Sequence, residues 1–499
     1  MTTITSETES APAPEPDAAS TTGRDPRPSA NRRFFVVLGI ISAAALAWRV
    51  AYDIWQIGRI PLGGDASYYH YQANDIASGK WFVDPFQLRY WGRVTPSAGH
   101  PPAYILYLAA VSKFIGRSEL THRLASTLLG AGAVFVLGVV ARRIFRSDWA
   151  GWTAALLAAG YAALWINDEM LMSESMYVLT AAIAVWCAYE FWDKPTVKTA
   201  IIMGLGIGLA ALSRAEAALL FVLLAIPFAC FRREKPWRER IKLAFVACLA
   251  GGLLMAPWIG YNLTRFDHPV LMSNGIGSVL MVANCDHTVP AGQPDAGTYD
   301  GTYRGQYVGY WNIACSFGLS KKLDDAYSPK KAAYYKQQLG LLPGTDFAFF
   351  GDESTHEVAW RAVGIAEMKN HKRELPWVVT LRVARMWDLF RYDQNIQLNG
   401  ALEGRGMWQS RLATLEYFGL LPLAILGLVL LRIRRVPILP FLAFAASVTV
   451  TAAMTFGITR YRAPVDALLP ILAGGAIVWL VEGVIRYAKE QRSAAERQA

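Results

Sequence analysis

Charge is scarce in this chain. Only 18% of its 499 residues are Asp, Glu, Lys or Arg, 54% are hydrophobic, and the mean hydropathy is +0.24. Such a composition excludes collagenous, wholly disordered and soluble nucleic-acid-binding classes, so no nucleic acid is expected as a partner. Cysteine is scarcer still, five in all, which excludes a disulfide framework, and no spacing suits zinc. Also missing are a Walker A loop, a dinucleotide fingerprint and a nucleophile elbow, which argues against ATP-driven transport and the common hydrolase and dehydrogenase classes. No signal peptide is expected, because the first apolar run begins only near Phe34 and no small-residue cleavage pattern follows it.

Long apolar runs are what the chain has in quantity. The first is FFVVLGIISAAALAW from Phe34, and others lie near 121–141, 149–166, 171–192, 199–213, 215–231, 241–260, 411–431, 436–456 and 464–484. At about 20 residues per crossing, the expected fold class is an all-α polytopic membrane protein of about ten transmembrane helices, with an external domain of mixed loops and helices. A further stretch, Pro101 to Gly116, is short and carries Lys113. If it does not cross, one side of the membrane holds the N-terminal tail, Arg142/Arg143/Arg146, Lys194/Lys198, Phe231 to Lys242, Arg432 to Arg435 and Arg486 to Arg497. With Arg32 and Arg33 at the end of the tail these contribute 22 Lys and Arg, against only Arg214, Arg460 and Arg462 on the short loops opposite. The bias of basic loops toward the cytoplasm selects this arrangement and accounts for the +10 net charge.

The division that follows is a disordered cytosolic tail (1–31), an N-terminal transmembrane module (32–260) with a first external loop over 51–120, an extracytoplasmic domain (261–410), C-terminal transmembrane helices (411–487) and a cytosolic tail (488–499). Within the extracytoplasmic domain a helix is expected from Asp352 to Lys372, and WVVTLRVARMWDLF after Pro376 is expected in the headgroup zone. Cys187, Cys230 and Cys248 fall in spans, as packing residues. Cys285 and Cys315 share the outer domain, where an oxidising exterior permits a disulfide.

Four polar clusters then meet the outer membrane surface. GGDASYYHYQANDIASGKWF places Asp65 after two glycines, as a helix cap or as a carboxylate aimed at a site. NDEMLMSES packs Asp168, Glu169 and Glu174 into seven residues at an apolar boundary; Glu174 also suits an ordinary helix start. Arg214, Arg460 and Arg462 run against the charge bias and suit bidentate phosphate contacts, or else pairing with Glu216 and Asp466. His100, ahead of Pro101 and Pro102, is the fourth element, as a site residue or a cap of the following helix.

In order and spacing these stretches, with GHPPAYILYL, HRLASTLLGAGAVFVLGVVARRIF, LSRAEA and TRYRAPVDALLPILAG, resemble the GT-C superfamily of integral-membrane glycosyltransferases. The likeness is greatest to the branch similar to protein O-mannosyltransferases and the lipid A aminoarabinose transferase. It runs over about Phe34 to Ile259 and Leu412 to Tyr487. The resemblance implies a plasma-membrane enzyme, a hexosyl or pentosyl transferase, with an extracytoplasmic active site. It would move a sugar with inversion from a polyprenyl-phosphate donor to a glycan, lipid or protein acceptor. Asp65 would be the catalytic base, Glu174 or alternatively Asp168 the second acidic position, and Arg460, Arg462, Arg214 and His100 the donor-phosphate contacts. Two departures stand out: His100 replaces the lysine common before the Pro-Pro pair, and Ala66 replaces a second acidic residue common in protein mannosyltransferase-like members. Some members use a divalent metal and others no cofactor, and the residues select neither. From another class, a transporter or flippase of a lipid-linked cell-envelope precursor is the alternative, although transporters place their ionisable groups near the midplane.

Overall fold

The computed structural model describes residues 28–59, 62–289, 307–341, 351–401 and 403–498. Of the expected N-terminal tail, residues 1–27 lie outside the described residues, and α1 (Pro28–Gln56) begins inside it. A first polar segment follows, with α2 (Gly64–Ala77), α3 (Pro85–Trp91) and α4 (Pro102–Phe114). Then come α5 (Glu119–Phe145), α6 (Asp148–Gly160), α7 (Ala162–Glu169), α8 (Glu174–Asp193) and α9 (Val197–Ser213). A run of 3-10, π and α turns over Ala215–Cys230 ends in α10 (Ile226–Cys230), and α11 (Trp237–Leu263) completes the first module. The second polar segment carries α12 (Ile276–Ala283), α13 (Leu319–Ala326), α14 (Pro329–Gln338), α15 (Glu353–Asn370), α16 (Leu375–Met386) and α17 (Tyr392–Ala401). The chain closes with α18 (Met407–Ile433), α19 (Leu439–Met454) and α20 (Ala463–Gln498), which runs on through the expected C-terminal tail. Among the described residues the only β-pairing is one isolated bridge, Val83 to Pro96.

Among the described residues the fold is all-α, and its apolar helices are those of a multi-pass membrane protein. Six helices, α1, α5, α8, α11, α18 and α20, are long and apolar enough to cross a membrane, and α6 with α7 makes a seventh across a 51° bend. The stretches α9, Ala215–Cys230 and α19 are apolar but shorter, so length and hydropathy alone do not reach the expected ten. The α6–α7 bend has a local cause. Tyr161 is extended (φ −62°, ψ 112°), its hydroxyl donates to Asp466 at 3.0 Å, and the freed N–H of Ala162 donates to Glu416 of α18 at 2.7 Å. Small residues bring other pairs together: a Cβ on Gly204 of α9 would lie 2.0 Å from the Ala247 carbonyl of α11, so only glycine permits that approach.

The bundle has two unlike ends. At one, Arg142 reaches Asp148 (2.6 Å) and Asn31 (2.8 Å), and Arg143 reaches Asp193 (2.7 Å) and Glu190. The other end carries both polar segments. In its last turns α1 sends Arg49 to Asp168 of α7 (2.5 Å) and Asp53 to Thr127 of α5, while Arg123 pairs with Glu119 (2.5 Å) and Glu169 (3.6 Å). The second polar segment has its own small core around Met281, Leu323, Tyr335 and Val363, and Cys285 is disulfide-bonded to Cys315. In α16 Arg382 and Arg385 are buried, while Trp377 is exposed. Arg382 donates to the carbonyl of Ala283 (2.8 Å), at the open end of α12, and Arg385 to the loop carbonyl of Val308 (2.6 Å).

Candidate functional site

At the end opposite the basic loops lies a cavity of about 990 Å³. Its walls come from the start of α2, residues 99–101, the α7–α8 turn, residues 214–219, the end of α19 with residues 455–461, and the second polar segment at residues 272–279, 353, 357 and 360. The paired glycines make the first wall: Gly64, in the left-handed region at φ +49°, turns the chain into α2 so that Asp65 falls in the first turn. Asp65 is not the helix cap, a position held by Gly63, and its side chain lines the cavity.

Arg460 is the hub. Its guanidinium lies 2.7 Å from Asp65 and 3.4 Å from Glu403, and it also binds Glu174. Glu174 is 1% exposed and sits behind the wall rather than on it; the same oxygen, Oε1, accepts from Arg214 at 2.7 Å, and Arg214 in turn holds Glu216 at 2.7 Å. One buried carboxylate therefore holds two guanidiniums side by side at the cavity, a juxtaposition their mutual repulsion would otherwise resist. His100 does not cap α4, whose N-cap is Pro101. Its Nε2 lies 3.5 Å from Asp65, and its ring packs between Tyr68 and Tyr69, with centroids at 5.0 and 4.6 Å. Burial alone would raise the Asp65 carboxyl, but Arg460 and His100 beside it outweigh burial and hold it well below the usual carboxylate range.

Of the seven expected residues, Asp65, His100, Arg214 and Arg460 line the cavity and Glu174 joins two of them. The structure places the other two elsewhere. Asp168 is 1% exposed and spent on Arg49, while Arg462 is held by Asp466 (2.9 Å) and Asp388 (3.0 Å) over the Tyr417 ring, as a pairing residue. Residues the sequence did not mark also line the cavity, among them Glu353, Glu403, Trp311 and Trp360. They belong to no motif and arrive from the second polar segment, so only the three-dimensional arrangement reveals them. Among the described residues no group of three or more His, Cys, Asp or Glu is gathered to hold a metal. The partners of Asp65 are the Arg460 guanidinium, which cannot ligate a cation, and the His100 imidazole.

Residues 99–261, about a third of the chain, match the family model described as dolichyl-phosphate-mannose-protein mannosyltransferase. The undecaprenyl phosphate-alpha-4-amino-4-deoxy-L-arabinose arabinosyl transferase of Pseudomonas aeruginosa (strain UCBPP-PA14) is 26% identical over 190 residues, 37% of this chain and 33% of that protein. The lipid A galacturonosyltransferase RgtD of Rhizobium johnstonii is 26% identical over 195 residues, 37% of this chain and 38% of that protein. The chain thus spans about a third of the length of the curated relatives it matches. A solved structure of ArnT from Cupriavidus metallidurans, bound to undecaprenyl phosphate, overlays on 90% of this chain and 78% of its own, at 16% identity and a TM-score of 0.35; at that score the likeness carries no argument about activity.

Proposed function

We propose that this chain, similar to GT-C glycosyltransferases over residues 99–261, transfers a sugar with inversion from a polyprenyl-phosphate donor to an acceptor hydroxyl on a glycan, lipid or protein. The reaction takes place at the extracytoplasmic face of the cytoplasmic membrane. One observation carries the reading: Asp65 and Glu174 meet on a single guanidinium, Arg460, at the wall of a 990 Å³ cavity. Sidedness is supported by the basic loops of the opposite end, with Arg142, Arg143, Arg146, Lys194, Lys198, Arg432, Arg434 and Arg435, under the bias of Lys and Arg toward the cytoplasm.

In the proposed step Asp65 takes the acceptor hydroxyl proton as the oxygen attacks the anomeric carbon. The bond from that carbon to the phosphate oxygen breaks, and the electron pair leaves with the polyprenyl phosphate. Arg460 and Arg214 receive that charge, held in place by Glu174, so Glu174 acts as a positioning residue rather than a second base. A carboxylate tied to a guanidinium is a weak base. Donor binding resolves this, because the incoming phosphate competes for Arg460 and loosens its hold on Asp65, whose proton affinity then rises. The transporter alternative draws less support, since the buried ionisable groups of α1, α5 and α7 lie in the turns nearest the cavity end rather than at the midplane.

The test is sugar transfer from a radiolabelled polyprenyl-phosphate sugar by purified protein, wild type against Asp65→Asn. Loss of general-base catalysis lowers the rate by about 10²- to 10⁴-fold. Transfer by the variant at the native rate refutes the base assignment.

A further inference from the structure

The stretch that carries His100 is held from two directions. Within the first polar segment the Ser97 N–H donates to the Phe82 carbonyl (2.8 Å) and the Gly99 N–H to the Tyr68 hydroxyl (3.2 Å), while Arg265, just after α11, donates to the Ser97 carbonyl (2.6 Å). Ala98 between them is held by the second segment instead. Its N–H donates to Glu353 Oε2 at 2.9 Å and its carbonyl accepts from the Asn274 N–H at 2.8 Å, so both backbone groups of one residue are spent on a part of the chain as far as 255 residues away.

Glu353 opens α15, yet α15 does not need it as a cap. Asp352 fills that role by accepting from Ser354 (2.9 Å) and Thr355 (3.2 Å). Nor does Glu353 form an ion pair among the described residues, although it faces the cavity; a carboxylate removed from water without a direct ion pair is costly, and here it is compensated by the Ala98 N–H and by Ser97. The contact therefore serves the loop and not the helix. Two residues beyond Ala98, the His100 imidazole meets Asp65.

We propose that Glu353 is a positioning residue: by accepting the Ala98 N–H it fixes the Gly99–His100 turn against the second polar segment and holds His100 beside Asp65. The second polar segment is then part of the site, and the loop takes its working shape only when α15 is docked on it. Its relevance to catalysis rests on the reading of Asp65 as the base, but the geometry is testable without any sugar.

The experiment is carbethoxylation of the full chain in detergent with diethyl pyrocarbonate, with modification at His100 followed by mass spectrometry and His268 and His371 as internal references. Glu353→Ala releases the turn and raises the His100 rate by about tenfold, the factor expected when a buried hydrogen bond is lost. Glu353→Gln keeps a carbonyl acceptor and stays within about twofold of wild type, while Glu353→Asp, one methylene short, falls between. A Glu353→Ala protein with native thermal unfolding and an unchanged His100 rate overturns the proposal, as does a Gln variant that behaves like the Ala variant. If the Ala variant does not fold, the Gln and Asp variants decide by the same ordering. Because no donor is present, failure here is distinct from failure of the Asp65→Asn transfer assay.

Discussion

Arg49–Asp168 and Arg460–Glu174 are both buried ion pairs at the same end of the bundle, built from the same two side-chain chemistries. Arg49 and Asp168 are 2% and 1% exposed and close on each other between α1 and α7, filling the space that a side chain at Gly130 would take. Arg460 is 10% exposed and divided among Asp65, Glu403 and Glu174, with one face on the cavity. A guanidinium with one carboxylate is a structural tie, whereas one shared among three carboxylates beside a cavity keeps donors that a phosphate could claim. Exposure to the cavity and the number of partners, more than burial or charge, separate the two roles.

The comparison breaks most visibly if the bundle pair is cut. Asp168→Ala leaves Arg49 buried and uncompensated, and we expect a loss of about 3–5 kcal/mol of stability, read by denaturation in detergent. Asp65→Asn, which removes a carboxylate already facing the cavity, is expected to unfold within a few degrees of wild type. Equal destabilisation of the two would erase the distinction. Next in size is Gly130→Ala. The added Cβ would lie 2.1 Å from both Arg49 Nη1 and Asp168 Oδ2, so the pair must move apart, at about 1–3 kcal/mol by the same measurement. On the cavity side, Arg214→Lys keeps the charge but loses the fork that spans Glu174 and Glu216, so transfer should fall about tenfold with little change in unfolding.

Much of this division was legible in the residues, and where it was not the reason is physical. Apolar runs mark the helices of the bundle because a span must be both long and dry, and the acidic and basic clusters of the outer loops stand out against them. The break at Tyr161 was not legible, because it depends on Asp466 and Glu416 from helices distant in sequence. Arg49, Asp53 and Arg123 were passed over because single charges inside or beside apolar runs read as span edges, though each is buried and bonded. On one short loop Glu174 is the preferred second acidic position and Asp168 the alternative; the α7–α8 turn sends Asp168 to α1 and Glu174 to Arg460. The Glu353 contact with Ala98 spans 255 residues and follows no periodicity, so only the folded chain reveals it.

Glu353 is a third kind of carboxylate, near the cavity but in no ion pair among the described residues, and pH sets it apart from the other two. Burial pushes its carboxyl from 4.5 up to about 7. Between those values the folded protein keeps a proton that the unfolded chain has released, so this group makes stability fall as pH rises from about 4.5 to about 7, and the loss levels off above. Glu353→Gln removes the titration. The variant should match wild type near pH 4.5 and exceed it at pH 8, by on the order of 1 kcal/mol once solvent at the cavity edge is allowed for. Melting temperatures of the two proteins across that range provide the check. The ion-paired Asp65 has the opposite sign, its pull on stability appearing only in strong acid, so a gap that opens toward low pH would place Glu353 with the paired carboxylates.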